Sequence, residues 1–159
     1  MKVIAIDPGY DRLGVAVLEH RNNRDTVLFS TCIESSRSLP LHERLYTVGQ
    51  QLTEIMETYR PTSVAVETLF FNKNITTAIG VAQARGMILY IGKLHGCAVH
   101  EFGPQEVKVA VTGYGKSDKT AVIAMVKRLA AQVPEKAHDD EYDAIAVGIT
   151  CLAHKGATR

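Results

Sequence analysis

Two short apolar runs in this chain each stop on a carboxylate, and this limits the fold more than any other feature. Val3-Ile4-Ala5-Ile6 ends at Asp7, and Val64-Ala65-Val66 ends at Glu67. The first run is β-branched at three of its four positions, and both read as buried strands. Acids are disfavoured in strands and rarely buried unpaired. Asp7-Pro8-Gly9 is, by itself, also good turn chemistry. Glu67 has no such excuse, because Leu69-Phe70-Phe71 follows it. A carboxylate between two apolar runs needs a cation or several donors. If the two strands lie side by side and parallel, both acids stand at one carboxyl edge. Open α/β sheets place their sites at that edge.

The rest of the chain supplies a sheet for those strands. Leu13 to Leu18 and Thr26 to Ile33 read as two more strands. The polar stretch His20 to Asp25, containing Asn22-Asn23, turns between them, which predicts an antiparallel meander. Leu41, Leu45, Val48, Leu52, Ile55, Met56 and Tyr59 recur at helical spacing, and Pro61 closes that helix. A helix before the Val64 strand suggests that this strand runs parallel to the first. A second helix is expected from about Ile75 to Leu94, and a fifth strand over Ala98 to Phe102. A short helix over Gln105 to Val111 follows Pro104. Another is expected from Asp118 to about Gln132 with Ser117 as N-cap, and a last one from near Asp140. No repeat, low-complexity segment or linker interrupts the 159 residues, so one domain spanning 1–159 is expected. The fold class is α/β: a mixed five-stranded sheet, antiparallel in its first three strands and then parallel, with helices on both faces. The pattern resembles the ribonuclease-H-like order.

Four acids crowd into five residues in Asp139-Asp140-Glu141-Tyr142-Asp143. Asp140 and Asp143 are three apart, so they share a helix face in its first turn, where the helix dipole favours negative charge. Capping alone does not require so many. Asp7, Glu67, Asp140 and Asp143 together make a four-carboxylate cluster. Like charges 4 Å apart repel by roughly 1 kcal/mol in water and about 4 at an effective dielectric of 20. Such a cluster is stable when it binds cations or takes up protons. Oxygen donors without thiolates select magnesium, with manganese able to substitute. Two such ions per site, about 3.5–4 Å apart, suit in-line phosphodiester hydrolysis.

Charge distribution agrees with a polyanionic partner. Net charge is only +1, but residues 71–136 carry nine Lys/Arg against four Asp/Glu, between two acidic ends. Lys73, Arg85, Lys108, Lys116 and Lys119 lie in that segment as phosphate-contact candidates. A solvated surface role is equally open for Lys73, Arg85 and Lys116. Strand alternation sends one of Phe70 and Phe71 inward and the other outward, where it can stack on an unpaired base. Cys32, Cys97 and Cys151 are odd in number, with no CxxC pair. Their spacing offers no zinc motif or disulfide framework, and they read as small hydrophobes in a reducing compartment. The longest apolar run falls short of a membrane span, and Asp7 comes too early for a signal peptide, so the chain reads as cytoplasmic with no membrane partner.

Six ordered motifs then resemble one family, the bacterial RuvC Holliday junction resolvases. They are Ile6-Asp7-Pro8-Gly9 with Gly14; Val66-Glu67 with Phe70 and Lys73-Asn74; Gln83-Ala84-Arg85-Gly86; Val107-Lys108 with Val111; Gly113-Tyr114-Gly115 with Lys119; and Asp140-x-x-Asp143-Ala144-x-Ala146. The resemblance runs from Ile4 to about His154. It implies a magnesium-dependent endodeoxyribonuclease that resolves four-way junction DNA by paired symmetric nicks. It implies Asp7, Glu67, Asp140 and Asp143 as metal-binding catalytic acids, Lys108 and Lys119 near the cleaved phosphate, and Phe70 against junction bases. It also implies a homodimer and a branch-migration motor complex as partners. Some relatives use histidine at the third ligand position, which raises His138 or Asp139 as replacements. The spacing to Ala144-x-Ala146 favours Asp140. Two other readings compete: a catalytically inactive junction-binding domain, and an actin-like nucleotide-binding domain suggested by Asp7-x-Gly9 with Gly14. The second needs another glycine-rich loop and another comparable domain, and this chain shows neither.

Overall fold

The computed structural model describes residues 1–68 and 75–156. Its strands are β1 (Lys2–Asp7), β2 (Arg12–Arg21), β3 (Arg24–Glu34), β4 (Ser63–Glu67), β5 (Ala98–Phe102) and β6 (Ala130–Ala131). Its helices are α1 (Leu41–Tyr59), α2 (Ile75–Leu94), α3 (Pro104–Thr112), α4 (Lys119–Leu129) and α5 (Asp139–Gly156). The strands form one sheet in the order β5-β4-β1-β2-β3-β6. β1, β2 and β3 pair antiparallel, and β4 and β5 extend the sheet parallel to β1.

Alternation along β1 explains why its sequence is apolar throughout. Val3 and Ala5 face a core shared with α3, α4 and α5, while Ile4 and Ile6 face a second core shared with α1 and α2. A strand buried on both faces loses the polar alternation of a half-solvated one. The β2–β3 turn is made by Asn22 and Asn23, both left-handed at φ 51° and 59°. Two consecutive positive φ values give the primed turn whose twist matches the hairpin, and asparagine tolerates them better than most residues. α1 stops at Arg60, also left-handed, whose N–H returns to Met56 O ahead of Pro61.

Three expectations at the C-terminal half need correcting. The sheet has six strands rather than five, because Ala130–Ala131 pairs parallel with Asp25–Thr26. The helix expected to reach Gln132 therefore ends at Leu129. Alanine favours helix, but edge pairing against β3 wins, and Gln132 turns the chain away at φ 60°. The N-cap of α4 is Asp118 and not Ser117; its carboxylate accepts the Ala121 N–H at 2.8 Å.

A buried cation fixes the chain just beyond Asp7. Arg44 on α1 is 8% exposed. Its Nη2 pairs with Asp11, its Nε donates to Ser35 Oγ at 3.0 Å, and its guanidinium lies 4.8 Å from the Tyr10 ring centre. Ser35 Oγ in turn donates to the Tyr10 carbonyl. The turn after β1, the end of β3 and α1 thus share one hydrogen-bonded knot. Arg44→Ala leaves Asp11 and Ser35 without their donor and is expected to lower stability by about 2 kcal/mol. Arg44→Lys recovers only part of this, because an ammonium cannot reproduce the planar fork. Urea unfolding midpoints measure both; an unchanged midpoint for Arg44→Ala would remove the knot from the account.

Candidate active site

Strand pairing delivers the first two carboxylates. β1 and β4 run parallel with Ile6 opposite Val66, so Asp7 and Glu67 leave the sheet as neighbours at its carboxyl edge. Gly9 makes the turn after Asp7 tight: a Cβ there would meet the Arg12 carbonyl oxygen at 2.1 Å. On the other side of β1, Asp7 pairs with Gly14 of β2.

Gly14 brings in the remaining acids. A Cβ at Gly14 would lie 2.0 Å from the Asp140 carbonyl oxygen, so only glycine lets the start of α5 sit down on β2 beside Asp7. From there one helical turn presents both Asp140 and Asp143. Both contribute charge repulsion at Asp7, and Asp143 does so at Glu67. The four expected acids therefore converge. Burial, then Glu67, Asp143 and Asp140 in that order, push the Asp7 carboxyl up to about 8; Lys119 only partly opposes them. Glu67 and Asp143 are also raised, each mainly by burial. Asp143 rises although Lys119 is bonded to it, so the acidic neighbours and the buried setting outweigh that cation.

Lys119, at the start of α4, lies across the acids. Its Nζ is 3.0 Å from Asp143 Oδ2 and 3.3 Å from Asp139 Oδ2. Burial works against its charge, but the bonds and charges of Asp143 and Asp139 more than compensate and raise its pKa. Lys108 on α3 is felt by Glu67 as a stabilising charge. Glu67, Lys108, Lys119 and Asp143, with Pro104, Val107, Val122 and Ala146, line a cavity of about 240 Å³. Its lining combines apolar side chains with both signs of charge. A phosphate with its countercations fits that pattern.

The other sequence candidates scatter. Arg85 pairs with Glu101 of β5, and Lys116 is exposed in the turn before α4. Phe70, Phe71 and Lys73 lie outside the described residues. His138 points elsewhere: its ring groups with Cys32 and Glu34. Asp139 faces Lys119. Of the residues around the third position, only Asp140 acts on Asp7. Sequence reasoning missed Arg12, whose Nε lies 3.4 Å from Asp140 Oδ2, and Cys32, whose Sγ lies 3.8 Å from the same oxygen. Neither carries a local signal: Arg12 reaches Asp140 because the start of α5 packs on β2, and Cys32 because it pairs opposite Gly14.

The donor set fits hard divalent ions. Four carboxylates meet at one half-buried edge as oxygen donors, the Cys32 thiol comes no nearer to Asp140 than 3.8 Å, and burial together with the neighbouring acids pushes Asp7 up to about 8. A mixed sheet with helices on both faces and clustered acids at this edge defines a ribonuclease-H-like protein with an acidic site of the metal-binding kind. Comparison with known proteins narrows that class. The family model described as "Crossover junction endodeoxyribonuclease RuvC" matches residues 3–151. Relatives of that name include one from Heliobacterium modesticaldum, 44% identical over 97% of this chain and 94% of its own. Another, from Thermosipho melanesiensis, is 40% identical over 96% and 97% respectively. The structure titled "T. thermophilus RuvC in complex with Holliday junction substrate" superposes with a TM-score of 0.90 at 30% identity, covering 98% of this chain and 96% of that one. The yeast mitochondrial resolvase Ydc2, 13% identical with a TM-score of 0.71, shares the fold. This chain belongs to the RuvC family.

The raised Asp7 has a measurable consequence for stability. Its folded pKa of about 8 exceeds the ordinary 3.8, so the folded state holds a proton that the unfolded state has released between those values. Stability therefore falls as pH climbs through that window. At pH 7 the cost reaches at most about 4 kcal/mol. Asp7→Asn removes it. In chelator at pH 8 the variant is expected to melt on the order of 5 °C above the wild type, and the gap should narrow at pH 5. Magnesium should raise the melting temperature of the wild type more than that of the variant. Equal melting temperatures across pH would show that Asp7 is not electrostatically frustrated.

Proposed function

We propose that the chain is a single nuclease domain that resolves Holliday junctions by paired symmetric nicks, using divalent ions for phosphodiester hydrolysis. The observation that carries this reading is the meeting of Asp7, Glu67, Asp140 and Asp143 at one sheet edge, with Lys119 and Lys108 beside them. Relatives that bear the junction-endonuclease name over nearly the full chain support it. A neighbouring structure of a relative with a junction bound supports the substrate.

Asp7, Glu67, Asp140 and Asp143 would hold magnesium, with manganese able to replace it. When bound, a pair of such ions supplies charge to activate the attacking water and to neutralise the leaving 3′ oxygen. The protein's own part is positioning. Asp7 is held rigidly by its place in a central strand, and its proton must leave before it can ligate, so ion affinity rises with pH. Lys119 offers an ammonium to the phosphate once cations relieve the demand of Asp143 and Asp139 on it. Lys108 holds positive charge on the Glu67 side of the cavity. Lys116 and Arg85 are further candidates for the duplex arms, with Phe70, Phe71 and Lys73 as candidates at the unpaired bases.

A twofold substrate calls for two copies of one site, hence a homodimer. α2 supports this, because Ile79 and Tyr90 are 59% and 67% exposed on its outer side and Gly86 leaves open space between them. Tyr46 of α1 adds a further exposed ring. A branch-migration motor is a further proposed partner. Among the described residues no helix is long and apolar enough to cross a membrane.

Incubation with a synthetic four-way junction and magnesium is expected to give symmetric nicks in strands of like polarity, and to leave linear duplex uncut. Binding without nicking in either magnesium or manganese would favour the inactive alternative. Asp7→Asn should abolish cleavage while junction binding persists; parallel loss of both would contradict a role confined to the ions. Lys119→Ala should slow single-turnover cleavage by about 100-fold, the size of one lost transition-state contact. An unchanged single-turnover rate would remove Lys119 from the reaction.

A further inference from the structure

A second cluster of ligand-type side chains lies beside Asp140. Ser30, Cys32 and Glu34 alternate on one face of β3, and that face runs beneath the start of α5. Ser30 Oγ donates to Glu141 Oε2 at 2.8 Å, and Cys32 Sγ reaches Asp140 Oδ2 at 3.8 Å. One step further along, Cys32, Glu34 and His138 place one ligand atom each within 4.8 Å of one another.

We propose that Cys32, Glu34 and His138 form a binding site for a soft or borderline divalent cation of the zinc class, separate from the carboxylate centre. The donor types carry the assignment. A thiolate, an imidazole and one carboxylate select zinc over magnesium, whereas the catalytic set is all oxygen. Three protein donors with a fourth position open to water is a common zinc arrangement. In a tetrahedral site, zinc–sulfur and zinc–nitrogen bonds of about 2.3 and 2.0 Å set the two donor atoms about 3.5 Å apart. Rotation of the exposed Glu34 and His138 side chains closes the remaining gap. Cys32 is the half-buried anchor, fixed by the β2–β3 ladder opposite Gly14.

The location gives the site a consequence. Its ligands come from the end of β3 and from the residue just before α5, so an ion there ties the sheet to the helix that carries Asp140 and Asp143. It also draws the Cys32 thiol away from Asp140 Oδ2. Zinc would thus alter the acidic centre from behind without occupying it.

Cobalt is a spectroscopic stand-in, because a thiolate ligand gives it a near-ultraviolet charge-transfer band that carboxylates cannot give. Metal-free full-length protein titrated with cobalt is expected to develop that band to one equivalent per chain. Equimolar zinc should abolish it, and a large excess of magnesium should not. Cys32→Ser should eliminate the band, and His138→Ala should weaken cobalt affinity at least tenfold. Asp7→Asn should retain it in full, which separates this site from the catalytic one. The proposal is overturned if no band forms, if it survives Cys32→Ser, or if it disappears in Asp7→Asn. Circular dichroism of each variant checks that the fold persists.

Discussion

The mutual repulsion of four carboxylates at one edge of a sheet is the constraint around which this structure is arranged. Without counterions, burial and neighbouring charges push Asp7 up to about 8, and Glu67 and Asp143 rise with it. Only rigid surroundings hold such groups together. β1 supplies them, because it is buried on both faces and paired on both edges. The instability is local, and in the proposed function divalent ions would recover the electrostatic free energy that folding alone leaves unfavourable.

The backbone makes the site as much as the side chains do. Gly14 has no Cβ, so α5 descends until the Asp140 carbonyl almost touches β2. Any larger residue would lift the helix start and move two of the four acids together. The Arg44 knot does comparable work on the other side, holding the turn after Asp7 against α1. Neither residue touches the reacting phosphate in the proposed reaction. Both set the distances between the acids, and small displacements at such sites carry large consequences.

Lys119 shows how one cation is held among several acids. It bonds Asp143 and Asp139, partly neutralising them. In the proposed reaction the same ammonium would face the phosphate. On the far side of α5, Arg12 bonds Asp140, and the Cys32–Glu34–His138 group lies next to it. The start of α5 is therefore contacted by Lys119, Arg12 and Cys32 at once.

Much of this was legible in the amino-acid order. Apolar runs ending on Asp7 and Glu67, and the i, i+3 spacing of Asp140 and Asp143, are local patterns, and burial or helical geometry gives each a direct physical meaning. The same periodicity located the main helices and the first five strands. It missed β6, where pairing with β3 overrode the helical preference of Ala130 and Ala131. The spacing to Ala144 already favoured Asp140 over His138 and Asp139, and its charge acts on Asp7; tertiary structure alone decided that Lys119 bridges Asp139 and Asp143 and that Cys32 meets His138 from a distant part of the chain. Local sequence sets which way a side chain points along its own element. Which distant side chain it meets depends on strand register and on how closely a helix can approach the sheet, and Gly14, with the Asp140 backbone directly over it, settles that only once the fold exists.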